Sequence, residues 1–151
     1  MKKKYIIDLL IFTFLGFITS EVSESLVNFL ADEKIASKNP ISKDNLTTQI
    51  LLGIIISPVF ETFVFQYLIP LNTRKVFDSF PLNFIAPIFF SSTAFALMHF
   101  FSIYYVIDGF IIGCFFSFVF LYIFDKYNSK VKAFFIVWFI HVFLNTIAIL
   151  N

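Results

Sequence analysis

The chain has 151 residues, of which 59% are hydrophobic and 14% charged, with a formal net charge of +1 and one cysteine. Soluble domains are about 45–50% apolar and about 25% charged, so this composition excludes a water-soluble domain, a disordered chain and a disulfide scaffold. The near-neutral charge excludes a basic surface for nucleic acid, which leaves a small polytopic membrane protein whose main partner is the lipid bilayer.

Apolar stretches that are long enough to cross a bilayer as a helix, which takes about 20 residues, recur along the chain. Five of them lie over residues 5–20, 49–71, 82–103, 105–124 and 133–150. The first is the weakest, because it is short and contains Asp8. Their hydrophobicity is continuous and does not alternate, which favours helices over the strands of a membrane barrel. We therefore predict an all-α fold, a transmembrane helical bundle with about five spans.

The N-terminal region combines three lysines with an apolar run, a pattern that it shares with signal peptides. Asp8 inside the run favours a retained first helix. Residues 21–48 are mixed in charge, and several apolar residues recur there at helical spacing. We expect an extracytoplasmic polar loop whose first part either extends the first helix or lies on the membrane surface. Residues 1–48 then form an N-terminal unit, and residues 49–151 form a core of four transmembrane helices.

The basic residues predict the orientation. Eight of the eleven Lys and Arg residues lie before the first span, between the second and third, or between the fourth and fifth. With an odd number of spans these segments share one side, which the positive-inside rule makes cytoplasmic. The N-terminus is therefore expected in the cytoplasm. The bias towards Phe, Ile, Lys and Asn is typical of AT-rich bacterial genomes, so we expect a bacterial cytoplasmic membrane.

Polar side chains inside the spans are the strongest functional signal, because an ionisable group at the bilayer centre costs roughly 2.5–3.5 kcal/mol. Glu61 lies near the middle of the second span with no residue of its own helix to neutralise it, so it is a candidate general base. His141 and Asn145 share one helix face, and they offer an imidazole and an oxyanion donor. His99 lies in the third span, and Asp108 near the start of the fourth is a weaker candidate.

Each of these residues also has a purely structural interpretation. Glu61 would then make a hydrogen bond between helices, His141 and Asn145 would form a polar seam, and His99 would lie at the interface. The chain has only two histidines, and both fall in spans other than that of Glu61. We therefore expect the three ionisable residues to gather around a shared pocket of water inside the bundle.

Three short motifs carry a resemblance to the CPBP family of intramembrane proteases, also called Abi. That family includes the type II CAAX prenyl endopeptidases and bacteriocin-processing proteins. Residues 57–66, Ser-Pro-Val-Phe-Glu-Thr-Phe-Val-Phe-Gln, resemble its Glu-Glu-x-x-x-Arg motif. Phe95 and His99 match its Phe-x-x-x-His motif, and His141 and Asn145 match its His-x-x-x-Asn motif. The order along the chain also matches, over roughly residues 49–150.

The resemblance implies an intramembrane endopeptidase that cleaves a peptide or membrane-protein substrate in a cavity facing the cytoplasmic side. Glu61 would activate the attacking water, and His99 and His141 would position that water or bind a metal ion. Asn145 would stabilise the oxyanion, with Phe95 in a supporting role. The family usually has more spans than this chain, so gating helices would be absent or supplied by an oligomer.

The chain departs from the family pattern at two positions. Thr62 stands where the family has its second Glu, and Gln66 stands where it has Arg. Because the two positions are four residues apart and face each other on a helix, we predict a hydroxyl–amide hydrogen bond. We interpret the change as the paired replacement of a supporting contact, which keeps Glu61 as the catalytic acid.

A catalytic zinc usually takes three protein ligands and leaves one position for water. His99 and His141 are the candidate ligands, and Glu61 would serve either as the third ligand or as the base. If it were a ligand, no base would remain, since position 62 is threonine. We therefore favour Glu61 as the base with the histidines holding water, with or without a loosely bound divalent ion such as zinc.

Gly109 and Gly113 form a Gly-x-x-x-Gly motif in the fourth span. This motif favours close helix packing, within the bundle or between the subunits of a homo-oligomer. Three other functions stay open at this point: a proton-relaying carrier or immunity-type membrane protein, a haem protein with His99 and His141 as axial ligands, and a catalytically inactive member of the family.

Overall fold

The computed structural model describes residues 2–31 and 45–150, which fold into helices joined by short connections. The helices are α1 (Lys2–Ala31), α2 (Leu46–Thr73), α3 (Leu82–Met98), α4 (Ile103–Tyr127) and α5 (Lys130–Leu150). Within the two described ranges there is no strand, and the prediction of an all-helical bundle is confirmed. Residues 32–44 of the predicted polar loop lie outside the described residues, while residues 21–31 extend the first helix.

Four of these helices, α1, α2, α4 and α5, are long and apolar enough to cross a membrane. Helix α3 has 17 residues, or about 25 Å at 1.5 Å per residue, which is less than the roughly 30 Å of a hydrocarbon core. The third predicted span was expected to reach residue 103. It ends earlier because the backbone leaves the helical conformation at His99, with φ −103° and ψ 33°.

Two prolines shape α2. In the stretches Gln49–Ile56 and Thr62–Leu68 the backbone hydrogen bonds widen to the i→i+5 pattern, and each stretch ends two residues before a proline, Pro58 or Pro70. Proline lacks an N–H, and its ring clashes with the carbonyl one turn earlier. A wider turn accommodates the ring without breaking the helix. Glu61 lies at the junction between a regular turn and the second wide stretch.

Helix α4 is the centre of the bundle and packs against α1, α3 and α5. Its buried side chains and those of α5 form much of the hydrophobic core, which includes Phe116, Val119, Phe120, Ile123, Ile136, Val137 and Ile140. Most large apolar side chains of α1 are exposed, as expected for a helix that faces lipid on its outer side.

The two glycines of the Gly-x-x-x-Gly motif lie where α4 crosses α3. A Cβ atom at Gly113 would lie 3.1 Å from the Cα of Ser92, and one at Gly109 would lie 3.3 Å from the Cα of Ala96. The missing side chains therefore let the two backbones approach each other closely. This packing within one chain accounts for both glycines, and a homo-oligomer stays a prediction.

Polar contacts tie the helices together at the end of the bundle that carries the basic residues. The Lys126 ammonium and the Tyr127 hydroxyl donate to the two Asp8 oxygens at 2.8 and 2.7 Å. Arg74 donates to both carboxylate oxygens of Asp125, at 2.5 and 2.9 Å. Asp8, which weakens the first span as a membrane helix, is therefore paired and joins α1 to α4.

Candidate active site

Glu61, His99 and His141 come from three different parts of the bundle and lie together inside it. The Oε2 atom of Glu61 is 3.5 Å from Nε2 of His141 and 3.7 Å from Nε2 of His99. Both distances are longer than a usual direct hydrogen bond. The side chain of His141 is only 5% exposed, whereas those of Glu61 and His99 are 16% and 21% exposed. His141 therefore forms the floor of the site, and the other two residues line its accessible side.

The break in α3 orients the imidazole of His99. The ring lies over the last turn of the helix, with Nδ1 2.8 Å from the carbonyl oxygen of Phe95. A carbonyl oxygen only accepts hydrogen bonds, so Nδ1 must carry the proton. In the neutral ring Nε2 is then an acceptor, and this is the nitrogen that faces Glu61.

His141 has the opposite arrangement. Its Nδ1 atom is buried and, within the described part of the chain, has no hydrogen-bond partner. Its Nε2 atom faces the carboxylate of Glu61. Because a proton on Nε2 can be shared with an acceptor and a proton on Nδ1 cannot, the surroundings favour the tautomer with a proton on Nε2. The carboxylate thus faces one imidazole donor and one imidazole acceptor.

Aromatic rings form the walls of the site. The ring centroid of Phe95 is 4.6 Å from that of His99 and 5.9 Å from that of His141. Phe116 lies 4.8 Å from His141, and Tyr105 stacks on His99 at 6.0 Å. These contacts hold both imidazoles in place. The motif points to Phe95, but nothing in the sequence separates Phe116 from the other phenylalanines, of which the chain has 25 in all.

Asn145 lies one turn further along α5 than His141, and its side chain is bound to the backbone of α2. Its Nδ2 atom donates to the carbonyl oxygen of Gly53 at 2.7 Å. Gly53 precedes Glu61 by eight residues, about two turns. One of the two N–H groups expected to bind an oxyanion is therefore engaged by a main-chain carbonyl.

Thr62 and Gln66 are completely buried beside Glu61. The hydroxyl oxygen of Thr62 and both polar atoms of Gln66 have no hydrogen-bond partner among the described residues. The predicted hydrogen bond between the two side chains is therefore wrong. The reason is that both lie in the wide stretch of α2, where the spacing that pairs positions i and i+4 on an α-helix is not kept.

The family model described as type II CAAX prenyl endopeptidase Rce1-like matches residues 43–147, more than half of the chain. The chain belongs to the Rce1-like family. The matched region contains all three motifs and leaves out α1, and membership makes the chain an integral membrane protein of a protease family. No curated protein and no solved structure gave a significant match.

The side chains around Glu61 in this Rce1-like chain are few for a catalytic zinc ion, which usually takes three protein ligands. Within residues 2–31 and 45–150 no group of three or more His, Cys, Asp or Glu side chains is arranged to hold a metal ion. If Glu61 joined the two histidines as a ligand, its neighbour Thr62 could not replace it as a base. The donors therefore do not fit a zinc centre that keeps its own base, and a loosely bound divalent ion stays a prediction.

The same geometry weighs against a haem site in this Rce1-like chain. His99 and His141 both direct Nε2 at one oxygen of Glu61. A haem iron held between the two imidazoles would have to occupy the position of that carboxylate.

Proposed function

We propose that the chain is an intramembrane endopeptidase in which Glu61 activates a water molecule that attacks a peptide bond. The observation that supports this most directly is the position of one Glu61 oxygen, 3.5 Å from Nε2 of His141 and 3.7 Å from Nε2 of His99. Family membership gives independent support, since it associates the chain with membrane-embedded proteases.

The gap between Glu61 and His99 suits a bridging water. A carboxylate oxygen and the unprotonated Nε2 of His99 are both acceptors, so they cannot bond to each other directly. A water molecule has two hydrogens and can donate one to each, at about 2.8 Å. Its lone pairs then point away from both groups, towards the place where a substrate carbonyl would lie.

In the first step the water oxygen bonds to the carbonyl carbon, the water proton passes to Glu61, and the carbonyl electrons move onto oxygen. In the second step the oxyanion collapses, the C–N bond breaks, and Glu61 returns the proton to the leaving nitrogen. His141 donates from Nε2 to the negative charge that develops on the substrate carbonyl oxygen in the first step. No step requires a metal ion or another cofactor.

We propose a peptide or a segment of a membrane protein as the substrate. The name of the matched family suggests a prenylated CAAX peptide as the first substrate to test. The clustering of Arg74, Lys126 and Lys132 at one end of the bundle supports an orientation with the N-terminus in the cytoplasm. We propose the cytoplasmic membrane of a bacterium as the location.

The proposal is tested with the full chain in proteoliposomes and a quenched fluorescent peptide, supplied with and without a prenyl group. We expect cleavage by the native protein, and a loss of at least about 100-fold in Glu61→Gln, which removes the base and keeps the shape of the side chain. Glu21→Gln, the same substitution at an exposed position of α1, serves as the matched control. Equal cleavage by Glu61→Gln and the native protein would contradict the proposal.

A further inference from the structure

The wide turns of α2 leave two main-chain carbonyls without a backbone donor. The Ser57 N–H donates to the Leu52 carbonyl in the i→i+5 pattern, so the next bond would run from residue 58 to Gly53. Residue 58 is proline and has no N–H. The second wide stretch repeats this arrangement 12 residues later, where Ile69 donates to Val64 and the next bond would run from Pro70 to Phe65.

A polar side chain from a neighbouring helix satisfies each of these carbonyls. Asn145 of α5 donates to the Gly53 carbonyl at 2.7 Å, and Ser91 of α3 donates to the Phe65 carbonyl. A carbonyl without a partner inside a membrane is strongly unfavourable, so both bonds have a clear physical reason. The repeated pattern indicates that Asn145, like Ser91, supplies the hydrogen bond that the missing N–H of a proline cannot make.

The bond from Asn145 also sets how α2 and α5 align. It joins the two helices that carry the acid and the buried histidine. Glu61 follows Pro58 by three residues on α2, and His141 precedes Asn145 by four residues on α5. Sliding one helix against the other would break this bond and would change the 3.5 Å separation of Glu61 and His141.

We propose that Asn145 is a positioning residue. It donates to the Gly53 carbonyl, which Pro58 leaves without a backbone donor, and so keeps His141 close to Glu61. The role of its amide is then main-chain recognition, in place of the oxyanion binding that the motif suggests. The effect on cleavage rests on the proposed function, whereas the effect on stability does not.

The test is a double-mutant cycle between Asn145→Ala and Pro58→Ala, measured as kcat, KM and the midpoint of thermal unfolding in detergent. Asn145→Ala alone should lower kcat by about 100-fold, because a displacement of about 1 Å has an effect of that size. Pro58→Ala restores the missing N–H. We therefore expect the double variant to cleave within about threefold of Pro58→Ala and to unfold at the same temperature.

An oxyanion role predicts a different result. The double variant would then stay about 10²–10³-fold below Pro58→Ala in kcat, because a restored backbone N–H at residue 58 replaces no oxyanion donor. That outcome would overturn the proposal. The same cycle between Ser91→Ala and Pro70→Ala is the matched control, since Ser91 satisfies the equivalent carbonyl.

The unfolding data separate this proposal from the proposed function. If no variant or native protein cleaves any peptide, a rescue of the unfolding midpoint by Pro58→Ala in the Asn145→Ala background still supports the role of Asn145. If the native protein cleaves and neither kcat nor the midpoint is rescued, the positioning role is wrong while the endopeptidase proposal stands.

Discussion

Nδ1 of His99 lies 2.8 Å from the carbonyl oxygen of Phe95, one turn earlier on α3. The ring of Phe95 meanwhile contacts the imidazoles of both His99 and His141. The spacing of the Phe-x-x-x-His motif therefore has a physical basis. One residue supplies the carbonyl that orients the histidine and the ring that holds it in place.

Phe95→Leu separates these two contributions, because it keeps the carbonyl and removes the ring. We expect kcat to fall by between about 10- and 100-fold as both imidazoles gain freedom. We also expect a loss of about 1 kcal/mol in the free energy of unfolding from the lost aromatic contacts. Phe90→Leu, at a position that is 50% exposed, is the control. A kcat equal to that of the control would show that the ring is not needed.

Asp108 connects α1 to the site. The Ser23 hydroxyl donates to its Oδ1 atom at 2.5 Å, and Asp108 lies close enough to His99 for an electrostatic interaction. Asp108→Asn keeps the acceptor for Ser23 and removes a negative charge close to His99. We therefore expect kcat to fall by about tenfold, as for other carboxylates that support a histidine, with a smaller fall in Ser23→Ala.

Asp8→Asn provides the comparison for Asp108→Asn, because it also removes a carboxylate that joins α1 to α4, at the opposite end of the bundle. It should lower the unfolding temperature and leave kcat unchanged. Equal losses of kcat in the two variants would mean that α1 only braces the bundle.

Thr62→Val removes a buried hydroxyl that has no hydrogen-bond partner among the described residues. An unsatisfied buried polar group costs about 1–3 kcal/mol, so this variant should unfold at a higher temperature than the native protein. In Thr93→Val, by contrast, a hydroxyl that donates to the Phe89 carbonyl at 2.8 Å is lost, and the unfolding temperature should not rise. A drop in Thr62→Val would indicate that the hydroxyl binds an internal water.

Gly113→Ala places a methyl group 3.1 Å from the Cα of Ser92, where backbone would have to move. We expect a loss of about 1–3 kcal/mol in the free energy of unfolding. Gly53→Ala meets only the end of the Ile149 side chain, at 3.2 Å, and should cost less. Light scattering of the detergent-solubilised protein should give the same mass for Gly113→Ala as for the native chain. A smaller mass would show that this face holds subunits together.

Much of the fold follows from hydrophobicity, because continuous apolar runs of membrane length leave few alternatives to helices. The exact length of α3 does not follow, since the chain around His99 is as apolar as the helix before it. The next helix follows closely, because the side chain of Ser102 accepts a hydrogen bond from the Tyr105 N–H at 3.1 Å. This interaction starts α4 and leaves room for only a short connection.

The candidate site, too, could be predicted only in part from the sequence. Glu61, His99 and His141 are recognisable because ionisable residues are rare inside membrane helices. The partner of Asn145 is not recognisable, because a main-chain carbonyl carries no sequence signal. The failed pairing of Thr62 with Gln66 has a related cause: Pro70 changes the helix geometry at positions that a regular helical spacing treats as neighbours.

The shortness of α3 bears on how water reaches Glu61. A helix of 17 residues is shorter than the hydrocarbon layer, and a bilayer adjusts to such a mismatch by thinning locally. The thinned region would lie at the end of α3 beside His99, opposite the end of the bundle that carries the basic residues, and lipid headgroups and their hydration would be drawn inward there. A deficit of a few residues in α3 would thus hydrate a glutamate that lies in the middle of α2.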